Sequence, residues 1–172
     1  MQACGPPAKS RPSLYTAEER RRRDTTAWTL VQGVLAPVQF LVFLVSLGLV
    51  LRFLATGEGQ TAATLSVVVK AIALYAIMIT GCLWEKAVFG RYLFAPAFYW
   101  EDVFSMLVLA LHTAYLVALF TDSLGPRGQM VLALAAYASY VINATQFLLK
   151  LRAARLDMAA APSRALAPGA AA

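Results

Sequence analysis

An uncharged run of 25 residues, AWTLVQGVLAPVQFLVFLVSLGLVL, occupies positions 27–51 of the chain. About 20 consecutive apolar residues in a helix cross the ~30 Å hydrocarbon core of a bilayer. This run is therefore long enough to span a membrane as one helix. We expect no cleaved secretory signal, because the apolar part of such a signal is shorter and ends at a small-residue cleavage site, whereas this run leads directly to Arg52.

Three further apolar runs follow. Residues 128–149 contain no charge, residues 103–121 are interrupted only by His112, and residues 59–84 only by Lys70. Of the 172 residues, 60% are hydrophobic and 14% are charged, whereas a soluble domain has roughly half and a quarter. The sequence therefore predicts an all-α integral membrane protein. Its four transmembrane helices are expected at about 28–54, 61–86, 98–121 and 128–151.

The segments outside the spans are short. Thr16-Ala17-Glu18-Glu19 has the form of a helix capping box, in which the Thr16 hydroxyl and the Glu19 carboxylate each bond a free backbone amide. A short N-terminal juxtamembrane helix is thus predicted to lead into the first span. The transmembrane domain is taken as 13–156, and the tails 1–12 and 157–172 are predicted to be disordered.

The net charge of +6 lies mainly at the two chain ends and in the middle loop. Lys86 and Arg91 occupy the middle loop, whereas the other two loops have only Arg52 and Arg127. By the positive-inside rule, both termini and the middle loop are predicted to be cytoplasmic. The basic run 20–23 is expected to lie near anionic lipid. Nucleic acid is not an expected partner, because no basic face interleaves with aromatic side chains. The terminal basic residues are Lys9, Arg11, Arg20, Arg21, Arg22, Arg23, Lys150, Arg152, Arg155 and Arg164.

The middle loop is unusually aromatic. Six of the twelve residues 89–100 are aromatic: Phe89, Tyr92, Phe94, Phe98, Tyr99 and Trp100. One interpretation is an interfacial belt, since amphipathic rings favour the headgroup level of a bilayer. Another is an apolar platform for a large planar ligand, and the two interpretations are compatible.

Polar residues inside the spans are costly in lipid, so each one is a functional hypothesis. Folding the chain about its turns places Glu85 at the level of Glu101, Tyr75 near the level of His112, and Gln32 near the level of Glu85. A polar layer is thus predicted in the cytoplasmic half of the membrane, beneath the aromatic loop. Its members are Gln32, Glu85, Glu101, Asp102 and Gln146.

The third span carries one polar stripe. Ser105 and His112 lie roughly 40° and 20° around the helix from Glu101, so the three share a face. Asp102 is turned by about 100° and is expected to face a different neighbour.

Each of these residues also has a purely structural interpretation. Glu101 and Asp102 can be ordinary carboxylates of a first helical turn, and Glu85 can be an interfacial charge. Lys70 can extend to the outer membrane surface, and His112 can form a bond between helices. On these arguments alone, an enzyme, a transporter and an assembly factor all stay open.

Particular strings of the sequence resemble the 3-vinyl bacteriochlorophyllide hydratase family, called 2-vinyl in older ring numbering. The resemblance runs from about residue 11 to residue 156, nearly the whole predicted ordered chain. It is specific because polar and aromatic strings agree as well as hydrophobicity. The strings that carry it are PSLYTAEER at 12–20, WTLVQGVLAP at 28–37, WEKAVFGRYLFAPAF at 84–98, WED at 100–102, ALHTAY at 110–115 and YVINA at 140–144.

The resemblance implies a carbon–oxygen hydro-lyase of bacteriochlorophyll biosynthesis. Such an enzyme adds water to the 3-vinyl group of chlorophyllide a, or of 3-vinyl bacteriochlorophyllide, and forms a 3-(1-hydroxyethyl) group. Water is the co-substrate, no cofactor is expected, and the magnesium belongs to the substrate. The expected partners are the tetrapyrrole substrate, the lipid bilayer and neighbouring pigment-biosynthesis enzymes. The implied location is the bacterial inner, or intracytoplasmic, membrane, with the active site toward the cytoplasm; the oligomeric state stays open.

Vinyl hydration needs a general acid that protonates the terminal carbon and a base that orients water. Two neighbouring carboxylates in different environments can supply both roles. The predicted catalytic pair is Glu85 and Glu101, with Asp102 in reserve.

The predicted substrate-binding residues follow from the same resemblance. His112 is a candidate axial ligand to the substrate magnesium through its neutral imidazole. Lys86 or Arg91 would bind the substrate propionate. The remaining predicted substrate-binding residues are Tyr92, Trp100 and Gln32.

Two other functions compete with hydration. A non-enzymatic pigment carrier or photosystem assembly factor would use the aromatic loop and His112 without needing a carboxylate pair. A small multidrug-type transporter would typically carry its buried acid in the first span, where this chain has only Gln32 and Gln39.

Overall fold

The computed structural model describes the backbone of residues 14–165 and the side chains of residues 14–156. This part forms five α-helices, α1 (Ala17–Thr25), α2 (Ala27–Thr56), α3 (Gln60–Phe89), α4 (Tyr99–Phe120) and α5 (Pro126–Ala165). Helices α2 to α4, and α5 as far as Leu156, are long and apolar enough to cross a membrane, as the sequence predicts. The predicted tail 1–12 lies outside the described residues, and so do the side chains of the predicted tail 157–172, although the backbone of α5 continues to Ala165.

Helix α1 begins at the predicted capping box. The Glu19 amide donates to Thr16 Oγ1 at 3.2 Å, and the Thr16 amide donates to Glu19 Oε2 at 2.8 Å. Tyr15, just before the helix, is buried against Phe89 and Phe98. The N-terminal segment therefore packs on the end of the bundle that carries the α3–α4 loop, which we call the loop end.

The four long helices form two hairpins. Gly57 ends α2 in the left-handed conformation that favours glycine, with φ of 77°, and its amide donates to the Phe53 carbonyl. Helix α5 begins at Pro126, whose fixed φ suits a first helical position. Helix α2 packs closely on α3, and α4 on α5, whereas contact between the two hairpins is less extensive. Contacts between the hairpins include Ser46 with Tyr137 and Lys70 with Tyr140.

Polar bonds tie the helices together. Tyr137 on α5 hydrogen-bonds Ser46 on α2, and Tyr75 on α3 bonds Thr113 on α4 at 2.7 Å. The second bond agrees with the predicted depth of Tyr75 near His112. The apolar core around these bonds includes Phe43, Val50, Val67, Val108 and Met130.

Candidate functional site

The centre of the candidate site is a carboxyl pair formed by Glu85 and Asp102 at the loop end. Glu85 comes from the last turns of α3 and Asp102 from the first turn of α4, and both are buried. The amides of two consecutive loop residues bind the two carboxyl groups, which places these groups side by side. Because two negative charges close together in a buried site oppose each other's ionisation, we expect the two groups to share one proton. We call Glu85 and Asp102 the carboxyl pair.

The α3–α4 loop supplies backbone donors to the carboxyl pair. The Phe94 amide donates to Asp102 Oδ2 at 2.7 Å, and the Ala95 amide donates to Glu85 Oε1 at 3.3 Å. Phe94 has φ of 59°, a left-handed conformation that is unfavourable for a bulky residue. This local strain is of the kind that is retained at functional sites when the surrounding structure enforces it.

Glu101 faces a different partner. Lys150 on α5 donates to Glu101 Oε2 at 2.6 Å, and its amine also lies 4.9 Å from the centre of the Phe98 ring. The structure thus corrects the predicted geometry, because Glu85 pairs with Asp102 and Glu101 pairs with Lys150. The reason is the turn of about 100° between neighbouring helical residues, which directs Glu101 toward α5 and Asp102 toward α3.

The aromatic loop divides into two groups. Phe89 and Phe98 pack inward with Tyr15, Trp84 and Phe147 and support the loop end. The outward group, which we call the aromatic face, consists of Phe94, Tyr99 and Trp100; it is exposed, and neighbouring ring centres lie 5.6–5.7 Å apart. The predicted platform of six rings therefore loses Phe89 and Phe98, whereas Tyr92 is exposed beside Lys86, apart from the aromatic face.

The remaining loop residues predicted to bind substrate are at the surface. Lys86 donates to the Gly90 carbonyl at 3.1 Å and lies 5.1 Å from the centre of the Tyr92 ring. Tyr92 and Arg91 are exposed. The loop end thus combines an exposed aromatic face with nearby cationic side chains.

Gln32 lies deeper than its predicted level. Its side-chain amide donates to Thr80 Oγ1 at 2.7 Å. Thr80 precedes Glu85 by five residues on α3, which corresponds to a rise of about 7.5 Å along the helix. The same displacement brings Trp84 Nε1 to Thr29 Oγ1 at 2.9 Å. The prediction that Gln32 shares the layer of Glu85 is therefore wrong by more than one helical turn, because α2 is displaced along α3 relative to a symmetric fold about the turn.

A second buried polar group lies nearer the other end of the bundle. It comprises Ser46, Lys70, His112, Tyr137 and Tyr140, which we call the deep cluster. Lys70 is fully buried, with its amine 3.8 Å from the centre of the Tyr140 ring. The prediction that Lys70 extends to the membrane surface is therefore wrong, because its position on α3 directs the side chain between the hairpins.

His112 belongs to the deep cluster. It is fully buried, its Nδ1 lies 2.8 Å from the Val108 carbonyl, and its ring centre is 5.9 Å from that of Tyr137. The eleven residues from Glu101 to His112 correspond to a rise of about 16 Å along α4. The predicted stripe of Glu101, Ser105 and His112 is confirmed as a buried face, but it spans two separate polar regions.

Tyr15 is the ionisable residue of the N-terminal segment that packs beneath the loop. Burial raises the pKa of its hydroxyl above the ordinary value, while the neighbouring Arg23 acts in the opposite direction. The Arg23 guanidinium lies 4.8 Å from the centre of the Tyr15 ring. Tyr15 is therefore a neutral, packed member of the loop end at physiological pH.

Two contributions to the site were missed by reasoning from the sequence. Lys150 was counted only as a terminal basic residue, although its position one turn beyond Gln146 could have indicated a partner for Glu101. The backbone amides of Phe94 and Ala95 leave no signal in the sequence, because they depend on the loop conformation.

Comparison with known proteins places the chain in a family. A sequence model of the 2-vinyl bacteriochlorophyllide hydratase family matches residues 15–153. A protein named 2-vinyl bacteriochlorophyllide hydratase from Cereibacter sphaeroides is 68% identical over 162 residues, which cover 94% of this chain and 99% of the relative. One of the same name from Rhodobacter capsulatus is 66% identical over 154 residues, 90% of each chain. No solved structure matches significantly. The chain belongs to the 2-vinyl bacteriochlorophyllide hydratase family.

Proposed function

We propose that this protein is a carbon–oxygen hydro-lyase that adds water to the 3-vinyl group of a chlorophyllide-type pigment. The relatives' names use the older 2-vinyl numbering. The proposed product carries a 3-(1-hydroxyethyl) group. The observation that carries the proposal within the structure is the buried carboxyl pair beside the exposed aromatic face.

The carboxyl pair suits both halves of the reaction. The protonated member gives its proton to the terminal vinyl carbon, and positive charge spreads from the adjacent carbon into the macrocycle. The ionised member takes a proton from water as the water oxygen bonds to that adjacent carbon. The pair begins and ends the cycle with one shared proton, so hydration needs no other proton source.

The aromatic face would receive the macrocycle. Phe94 links binding to chemistry, because its ring belongs to this face while its own amide bonds Asp102. Contact of the macrocycle with the Phe94 ring would therefore act directly on the position of one catalytic carboxyl group. Lys86 or Arg91 would bind the propionate at the edge of the macrocycle.

His112 is given no magnesium contact in this proposal. The rise of about 16 Å along α4 between Glu101 and His112 exceeds the distance from the centre of a macrocycle to a substituent on its edge. A pigment whose vinyl group lies at the carboxyl pair would therefore bring its magnesium close to the loop end. Water is the co-substrate, no cofactor is proposed, and the magnesium enters with the substrate.

The proposed topology follows the basic residues. Both termini and the middle loop would face the cytoplasm, because Lys86, Arg91 and the terminal arginines favour that side. Helix α1 would then be a juxtamembrane helix, and the carboxyl pair would lie in the cytoplasmic half of the inner membrane.

Membranes from a host without the pathway, containing this protein, test the reaction. Incubated with chlorophyllide a in heavy-oxygen water, they should yield a pigment with blue-shifted absorption whose new hydroxyl carries the heavy oxygen. Glu85→Gln membranes should form little product, whereas Glu58→Gln, the same change at an exposed turn, should match the wild type. Binding of the vinyl pigment without any hydroxyethyl product would instead identify a carrier.

A further inference from the structure

The deep cluster contains buried polar atoms that the protein itself does not satisfy. Lys70 Nζ and His112 Nε2 have no hydrogen-bond partner within the described part of the chain, and both residues are fully buried. Lys70 contacts the Tyr140 ring and His112 contacts the Tyr137 ring one turn away on α5, so the two residues face the same stretch of that helix. Because buried polar groups are normally hydrogen-bonded, these atoms indicate a ligand between the hairpins.

The unsatisfied atoms include both donors and acceptors. Lys70 can only donate. His112 Nδ1 donates to the Val108 carbonyl, so the neutral ring presents Nε2 as an acceptor. The Asn143 amide nitrogen donates to Ser105 Oγ at 2.9 Å, which leaves the unsatisfied Asn143 Oδ1 as a second acceptor. An anion would be repelled by the acceptors and a metal ion by Lys70, whereas water donates and accepts.

Further buried polar atoms lie between the deep cluster and the loop end. On α5, Tyr140 contacts Lys70, Asn143 and Gln146 follow at successive turns, and Lys150 reaches Glu101. Gln146 Oε1 is another buried acceptor without a partner in the residues described. On α4, Ser105 lies one turn from Glu101, and at the carboxyl pair Glu85 Oε2 is likewise buried without a partner in the described residues. A line of polar atoms therefore leads from the deep cluster to the carboxyl pair.

We propose that the interface between the hairpins holds a chain of internal water molecules that begins at Lys70 and His112 and ends at the carboxyl pair. We further propose that this chain supplies the water consumed in hydration. A macrocycle on the aromatic face would block the entry of water from the loop end. Water from within the bundle would reach the carboxyl pair from the opposite side. The supply role rests on the proposed function, whereas the water site itself does not.

Radiolytic footprinting of the full-length protein in lipid nanodiscs tests the water site without measuring turnover. Bound water forms hydroxyl radicals in the beam, which oxidise adjacent side chains. His112 and Tyr140 should be oxidised several times faster than Met130, which is fully buried in the apolar core. Equal or slower oxidation of both residues would overturn the proposal, because methionine is intrinsically the more reactive side chain.

Asn143→Leu tests the supply role by replacing the polar link with an apolar side chain. It should lower kcat by about tenfold and leave the KM for the pigment unchanged, and it should reduce the oxidation of His112. Ser139→Ala is the matched control on α5, because Ser139 is buried but bonds only the Ala136 carbonyl of its own helix. Ser105→Ala removes the other partner of the same hydrogen bond with a smaller change of side chain. It should also lower kcat and the oxidation of His112, so the test does not depend on the folding of Asn143→Leu alone.

The outcomes separate the two proposals. Wild-type turnover in Asn143→Leu, with reduced oxidation of His112, would overturn the supply role. Wild-type turnover in Glu85→Gln would overturn the proposed role of the carboxyl pair, and the footprinting result would stand independently of it.

Discussion

The carboxyl pair and the deep cluster are both buried polar regions of one helical bundle, but their polar atoms are satisfied in different ways. Loop amides donate to one oxygen of each carboxyl group, Asp102 Oδ2 and Glu85 Oε1, whereas Glu85 Oε2 has no partner in the described residues. In the deep cluster, Lys70 Nζ and His112 Nε2 find no partner in the described residues. Backbone donors of the loop therefore orient the carboxyl pair, whereas the described residues offer no hydrogen bond to the two free nitrogens of the deep cluster.

The largest expected effect concerns which acid pairs with Glu85. Asp102→Asn should lower turnover about 100-fold or more, the range for loss of a general acid or base. Glu101→Gln should have a clearly smaller effect, because Glu101 is bonded to Lys150 rather than to Glu85. Initial rates of pigment hydration in washed membranes compare the two variants. Equal losses would show that the reactive geometry differs from the pairing in this structure.

The next effect concerns how much the burial of Lys70 in the deep cluster lowers the free energy of unfolding. Lys70→Met should raise the free energy of unfolding by about 1–3 kcal/mol, because internal water molecules offset only part of the cost of taking an ammonium group out of bulk water. Lys86→Met, at an exposed position, should leave stability nearly unchanged. Unfolding measurements in bicelles compare them. Destabilisation by Lys70→Met would mean that the lysine has a strong partner after all.

A smaller effect should separate the backbone of Phe94 from its ring. Phe94→Gly and Phe94→Ala both remove the ring, but only glycine adopts φ of 59° without strain. The glycine variant should be more stable than the alanine variant by about 1 kcal/mol. Both should raise the KM for the pigment through loss of the ring. Equal stability of the alanine and glycine variants would contradict backbone strain at position 94.

The smallest expected effect lies at the edge of the deep cluster. Ser46 bonds Tyr137 and Ser66, so Ser46→Ala should cost about 1 kcal/mol of stability. Ser139→Ala loses only a bond within its own helix and should cost less. Thermal unfolding followed by circular dichroism distinguishes them, and a reversed order would contradict the interhelical role of Ser46.

Reasoning about depth along the helices predicted levels better than partners. Turn positions placed Glu85 at the level of Glu101, and the actual partner, Asp102, is the next residue along the chain. Tyr75 was expected near His112 and bonds Thr113. Counting residues from a turn gives the height of each residue along its helix. The direction in which a side chain points depends on how the two hairpins are rotated against each other. For Gln32 even the level was wrong, because α2 is displaced along α3.

Four helices long and apolar enough to cross a membrane, their approximate ends and the capping box before α1 were determined by the sequence alone, because length, hydropathy and local hydrogen bonding are local properties. The family resemblance was likewise carried by strings of residues. Only the tertiary structure decided that Glu85 meets Asp102, that Lys150 neutralises Glu101, and that Lys70 lies inside the bundle. Those outcomes depend on the rotation and displacement of packed helices and on the loop backbone, and these are set by contacts between residues far apart in the chain.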